Sequence, residues 1–413
     1  MYYKGKIGKT EIDFNTDYLF DKNRKKSLYK EQSKNYDSRV VNSSNMTRNQ
    51  LFASKLSLSH PLFGGDITVG AEYSNTKRND DYINVEEYVP TSLSMLKEQN
   101  MSVFLDYNRA TPIGQVMAGV RYEHVDFKYY AGGMYIDGQS RRFGNLFPSI
   151  SLSNKIGNVQ MQLGYAVKTR RPTYGQLSNN VSYGNRFTQQ TGNPLLEHET
   201  IHEASIMGVW KFLQFNVSYD DRRNAIIYWG EQLENTPEVT RLSFKNLKSL
   251  KYMSASVSAA PKFGVWSPQL TLAMRKQWLN LETSNGTLEM NKPIFMGTLN
   301  NDVDLGKGWI VSLYMYCQSK GDVENSSQTR VVSSTDVELS KSFFNDRLSV
   351  KLGGYDLFRG QKSGTNLYID KMSTLQIAKY DSREVTLTIR YKFNTSRNKY
   401  KGTGAGQSEM KRL

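Results

Sequence analysis

The chain has 413 residues, 54 lysines and arginines against 39 acidic residues, a formal net charge of +15 and one cysteine, Cys317. A lone cysteine excludes an intrachain disulfide and a cysteine-built metal site. No run approaches the roughly 20 apolar residues of a membrane-spanning helix, which excludes helical membrane proteins but not strands that cross a bilayer. The positive charge is spread along the chain, not gathered into a basic stripe with interleaved aromatics, so nucleic acid is not an expected partner. A basic lumen, or loops facing an anionic bacterial surface, accounts for it equally well.

Plentiful tyrosine, phenylalanine and glycine favour strands and turns. Ile12, Phe14, Tyr18 and Phe20 alternate in a first strand, and a charged loop is expected from about Asp21 to Asn45. Phe52, Leu56 and Leu58 mark the next strand, His60 to Gly65 turns it, and Ile67, Val69, Ala71 and Tyr73 run back. Val103, Leu105 and Tyr107 lead to the turn at Thr111 to Gly114, from which Val116, Ala118, Val120 and Tyr122 return. The clearest alternation is Val159, Met161, Leu163, Tyr165 and Val167 against polar or small neighbours, and the last strand, Val385 to Phe393, is as clean. Cys317 reads as a small apolar residue in a strand.

Tight connections are expected at Lys155 to Asn158, Lys211 to Leu213, Pro261 to Ser267, Gly306 to Gly308 and Phe343 to Asp346. Long polar loops are expected at about 74–98, 124–143, 171–198, 279–292, 319–330 and 359–380. Short turns at one end and long loops at the other are the asymmetry of a bacterial transmembrane barrel. The expected fold is therefore all-β: an antiparallel transmembrane β-barrel of about sixteen strands, each about 10 to 14 residues long. Residues 1–394 form it and 395–413 make a polar tail. Trp210, Trp266 and Trp309 fall beside short turns, and Trp229 and Trp278 at the loop ends of strands, as in aromatic girdles.

Few residues suggest chemistry. His198-Glu199-Thr200-Ile201-His202 matches the H-E-x-x-H pattern of zinc peptidases. On a helix both imidazoles would reach one zinc and Glu199 would serve as the general base. The segment instead opens a run that ends in alternation, and residues four apart in a strand are about 13 Å apart. No metal site is expected there, and a secreted zinc peptidase is kept only as an alternative. His60 and His124 read as isolated, and Asp80-Asp81 as a weak calcium candidate in a solvated loop. The arginine pairs Arg141-Arg142, Arg170-Arg171 and Arg222-Arg223 lie near loop ends, where they could hold an anionic ligand or a lipopolysaccharide phosphate. Tyr129-Tyr130, Tyr174, Tyr183 and Phe187 could stack on a ligand from the loops. No catalytic residue and no cofactor is expected.

Phe147-Pro148-Ser149 before a hairpin, Arg170-Arg171-Pro172 and Tyr174, then Gly192-Asn193-Pro194, stand in an order that resembles the barrel domain of TonB-dependent receptors, Bacteroidetes types above all. The ending Tyr391-Lys392-Phe393-Asn394 followed by KYKGTGAG is similar too. The resemblance implies a receptor in the outer membrane that binds a scarce nutrient (siderophore, cofactor, glycan or peptide) and imports it with energy passed through TonB. Its implied partners are outer-membrane lipid and lipopolysaccharide, the nutrient, the TonB complex through a plug domain, and a surface lipoprotein. A receptor barrel has about 22 strands, and Met1 to Gly5 is not signal-peptide-like. The expectation is thus a fragment lacking about six strands and the plug. The alternatives are a passive porin or structural barrel, and a soluble β-rich adhesin.

Overall fold

The computed structural model describes residues 1–370, 372–393 and 404–413. Its main sheet has 20 strands. Three short ones, Met134–Tyr135, Ser182–Asn185 and Thr188–Gln190, belong to loops. The other seventeen follow one another in chain order as an antiparallel wall, from Tyr2–Ile7 to Glu384–Tyr391. Four of them frame the interior site: β1 (Thr10–Glu31), β2 (Gly65–Asn84), β3 (Ser92–Thr111) and β4 (Gly114–Ala131). Tyr2–Ile7 is the strand that alternation does not reveal, because its tyrosines are adjacent and its remaining residues are mostly polar.

The ladder register explains the wall. Phe14, Leu56, Ala71, Val103, Tyr122 and Leu146 lie directly opposite one another across six strands. Val311, Leu339, Leu352 and Leu387 make a second such row. Val103 and Leu387 are more than half exposed, as are Leu272, Phe295 and Ile389. An apolar band of that extent is costly in water, at about 1.5–3 kcal/mol for each large side chain, whereas in lipid it is solvated. Because side chains alternate, the same strands turn Glu98, Asn100 and Ser102, or Ser74, Thr76 and Arg78, to a buried polar interior.

Strand lengths depart from expectation. β1 has 22 residues and Arg39–Leu62 has 24, where 10 to 14 were expected, and most of the expected loops at 21–45, 74–98 and 124–143 are strand. At about 3.3 Å per residue such strands outrun the roughly 30 Å hydrocarbon layer even when tilted. Their outer halves pair through the backbone while remaining polar, so composition disguised them as loops. The two-residue turn Phe63-Gly64, both at positive φ, fits the tight hairpin at the opposite end. Beyond the wall, Gly321–Val323, Ser326–Gln328, Lys362–Ile369 and Met372–Lys379 form a separate four-stranded sheet, and Asn280–Thr283 pairs with Gly286–Glu289.

Trp210, Trp266, Trp309 and Trp278 sit at strand ends with exposed rings, as a girdle requires. Trp229 does not. It lies within Leu213–Leu233, packed against Ala225, Leu250 and Leu281 with the Lys245 ammonium 3.1 Å from its ring centre. Cys317 lies in a strand, exposed. The expected boundary between barrel and tail, at 394 and 395, lies outside the described residues.

Candidate functional site

The loop of residues 171–198 does not stand off the wall. It folds inward, burying Tyr174, Leu177 and Leu196 against Leu96, Phe127 and Tyr129 of β3 and β4. Gly192 permits the fold: a Cβ there would run into the carbonyl oxygens of Ser178, Gln176 and Gly175. Beside it, the Asn193 amide N–H donates to the Gln176 carbonyl at 2.6 Å, and its side chain to the Phe244 carbonyl at 3.0 Å. The motif that carried the resemblance is thus a backbone constraint that packs one loop into the interior.

Residues 404–413 occupy the interior from the other side. Arg412 donates to Glu98 in a two-pronged pair, one prong at 2.9 Å, and its guanidinium stands 4.4 Å over the Tyr174 ring. Its Nε donates to the Pro172 carbonyl, and its own carbonyl accepts from the Tyr174 N–H. Arg171 bridges Glu98 at 3.2 Å, Glu123 at 3.7 Å and Glu409 at 3.0 Å. Arg78 reaches the Leu413 carbonyl at 3.0 Å and Asp80 at 3.0 Å. Burial pushes the Glu409 carboxyl up, but Arg171, the Ser408 hydroxyl and the Asn100 amide outweigh it and hold the carboxyl below its usual range. Burial raises the Tyr174 hydroxyl well above the ordinary tyrosine range.

Between this tail and the opposite wall lies a cavity of about 880 Å³, the size of a small-molecule site. Glu72, Arg121 and Arg170 face Tyr228, Phe244 and Glu324 across it. Both signs of charge and two aromatic faces line it, which suits a polar, partly aromatic solute.

The anticipated site residues do not converge on one place. Arg171 and Tyr174 belong to the tail network, and Arg141 adjoins it, donating to the Pro194 carbonyl at 2.9 Å and covering the Phe127 ring. Arg170 and Arg222 both grip the fully buried Glu199; Arg222 does so at 2.7 Å while also meeting Glu324 at 2.8 Å. Tyr183 is buried elsewhere, donating to Glu31 at 2.9 Å beside Arg186. Arg142 and Arg223 are exposed, each near one aspartate. Tyr129 is in a strand, not a loop, and Asp80 and Asp81 of β2 pair with Arg78 of the same strand and with Arg48 of the neighbouring strand Arg39–Leu62.

The H-E-x-x-H segment is extended from Glu199 onward, so the helical geometry that would join His198 and His202 is absent. His198 stacks on Phe143 and contacts Asn145, and burial pushes its imidazole pKa down. His202 contacts the Tyr165 hydroxyl, while Glu199 turns to the arginines. Among the described residues, no group of three His, Cys, Asp or Glu side chains is placed to hold a metal.

Sequence reasoning missed Glu72, Glu98, Glu123, Glu409 and Arg412. For the three wall residues a local signal was present, since Glu72, Glu98 and Glu123 each stand on the strand face opposite the apolar positions; Glu409 and Arg412 lie beyond the last strand, where no alternation marks them.

An apolar belt, a polar interior and short turns opposite long loops define a bacterial outer-membrane β-barrel wall. The chain belongs to the outer membrane protein beta-barrel family, whose model matches residues 5–391. Its fold is that of TonB-dependent receptor barrels. It is similar to the ferric yersiniabactin uptake receptor FyuA of Yersinia pestis, with 12% identity, TM-score 0.63, 95% of this chain and 60% of that one covered. The ferric-catecholate import receptor Fiu of E. coli K12 matches at 12% identity and TM-score 0.59, over 93% of this chain and 62% of that one. The ferric preacinetobactin receptor BauA of Acinetobacter baumannii matches at 11% identity and TM-score 0.60, over 93% and 60%. The chain therefore spans about three fifths of the length of these receptors. None of the curated proteins compared with it matches.

Proposed function

We propose that this wall belongs to an importer which captures a scarce small solute outside the cell and admits it by an energised, TonB-dependent step. The observation that carries the reading is the narrowed interior: the 171–198 loop and residues 404–413 meet across the lumen through Arg412, Tyr174 and Pro172. A passive porin keeps a water-filled channel, and this arrangement suits gated entry instead. The three proteins above are, by their names, receptors for ferric ligands, two of them for import or uptake, and a ferric chelate is the first ligand to test. The 880 Å³ chamber with Arg121, Arg170 and two aromatic faces suits an anionic, aromatic chelate. In this reading TonB acts through a plug segment, and lipopolysaccharide and a surface lipoprotein are the outer partners.

The test compares a strain carrying the intact gene with its deletion, measuring accumulation of a labelled ferric-catecholate panel. Uptake that needs the gene and stops on collapse of the proton gradient supports the reading. Gene-dependent accumulation that continues without the gradient assigns the barrel to passive diffusion.

A further inference from the structure

We propose that the lumen wall carries a peptide-binding site whose occupant is this chain's own segment 404–413, which acts as an internal gate by pinning the 171–198 loop. The inference uses the same contact between tail and loop that supports the import reading but claims nothing about transport, so failed uptake leaves docking standing while the labelling below tests docking alone.

Recognition begins with the backbone. The amide N–H groups of Gly404, Ala405 and Gly406 donate in turn to Asn15, to Asp17 at 2.6 Å and to Glu72 at 3.0 Å, side chains of β1 and β2. Three successive amides captured by side-chain oxygens hold the segment through its backbone, whatever its side chains. The small residues let it approach. Ala405 is fully buried, and a Cβ at Gly406, whose φ is +64°, would come within 2.5 Å of the Ala53 Cβ. One helical turn then follows, Gln407–Met410. Glu409 and Arg412, three apart, meet Arg171 and Glu98 in crossed ion pairs. Opposite charges on the segment thus face Glu98 of the wall and Arg171 of the inward loop, a match that fixes direction as well as affinity.

The gate follows from what the segment holds. Arg412 contacts the Pro172 carbonyl, the Tyr174 ring and the Tyr174 amide, all within the first residues of the inward loop. Withdrawal of the segment removes both Arg412 hydrogen bonds from Glu98 and leaves it Arg171 and the Tyr174 hydroxyl as partners. Docking of the segment and inward packing of the loop are therefore linked.

The reporter is Ala405→Cys in a Cys317→Ser background of the full chain, reconstituted in lipid and labelled with a membrane-impermeant maleimide. Labelling is expected to be at least tenfold slower than in the same protein carrying Arg412→Glu. Arg412→Lys, which keeps a positive charge opposite Glu98, should stay protected, with all variants heat-modifiable on gels so that a folding defect is excluded. Equal labelling with and without Arg412→Glu, or labelling of Arg412→Lys as fast as that of Arg412→Glu, overturns the proposal. As a second measurement, a barrel ending at Phe393 that stays heat-modifiable on gels should bind a labelled synthetic peptide of residues 404–413 and reject one with Arg412→Glu. Equal binding of the two peptides, or of neither, overturns it as well.

Discussion

Arg412 and Glu98 are 314 positions apart in the chain and meet as a doubly hydrogen-bonded pair inside the barrel, one bond 2.9 Å long, with both side chains more than nine-tenths buried. Such a pair contributes little net stability relative to apolar packing, yet removal of one partner costs about 3–5 kcal/mol because the other is left charged and dry. It is therefore a device of position rather than of strength: it determines where residues 404–413 sit and, through Tyr174, where the inward loop sits.

Tail docking should depend on pH in the direction that Glu409 dictates. Its carboxyl is held below its ordinary value of 4.5 in the docked state, and Arg171, Asn100 and Ser408 are the groups that outweigh its burial. Arg412 and Glu98 are the other charges in the same network. A depressed acid contributes stability above its undocked pKa, and that contribution is lost as pH falls through the docked one. Binding of the labelled 404–413 peptide to the barrel ending at Phe393, followed by anisotropy, should be level from pH 7 to pH 5 and weaken below about pH 4. A peptide carrying Glu409→Gln should bind more weakly at pH 7 and lose less of its affinity on acidification. A peptide affinity that rises on acidification would contradict the assignment.

What could be read from the sequence divides along one physical line. Wherever lipid wets one face and water the other, apolar residues must alternate, and Val159 to Val167 or Val385 to Ile389 show the strand at once. The outer halves of β1 and β2 have no such contrast. Lys22, Arg24 and Lys26 are polar, but so are their neighbours on the other face, and only the ladder to Ser44, Met46 and Arg48 makes them strand. The interior network was hidden for another reason. Glu98, Arg171 and Arg412 come from three distant parts of the chain, and no local pattern links them. Arg171, Tyr174 and Gly192 stand out through resemblance, but the reason for them, a loop packed inward, lies in contacts with strands far away in the chain.

Glu199 separates a structural acid from a catalytic one. It is fully buried, takes hydrogen bonds from Arg222 at 2.7 and 3.0 Å, from Arg170 and from the Ile226 amide, and stands in a strand. Glu199→Ala should leave Arg222 with Glu324 alone and lower barrel stability by about 3 kcal/mol, the cost of breaking a buried pair. The unfolding temperature read by gel heat-modifiability should fall accordingly. Metal analysis should give the same zinc content in this variant, in His198→Ala and in the parent. Stoichiometric zinc in the parent that His198→Ala abolishes would restore the peptidase alternative.

The assignment of faces is tested most directly at two neighbouring residues. Val257 is half exposed on the outer surface, opposite Phe215 and Leu272, while Ser256 is one step along the same strand, opposite Asn216 and Ala273. In a strand consecutive side chains point to opposite faces, so the two positions differ only in the medium they meet. A lysine in place of Val257 must place its ammonium in hydrocarbon, at a cost of about 2–4 kcal/mol near the midplane and less toward the interfaces. A lysine in place of Ser256 enters the polar interior and should cost under about 1 kcal/mol, the range of a substitution away from packed apolar side chains. Reversible urea unfolding in lipid vesicles measures both. Val257→Lys should lower the midpoint sharply and Ser256→Lys should barely move it. If the two variants lose equal stability, or the order is reversed, the outer surface is not facing lipid and the barrel has been read inside out.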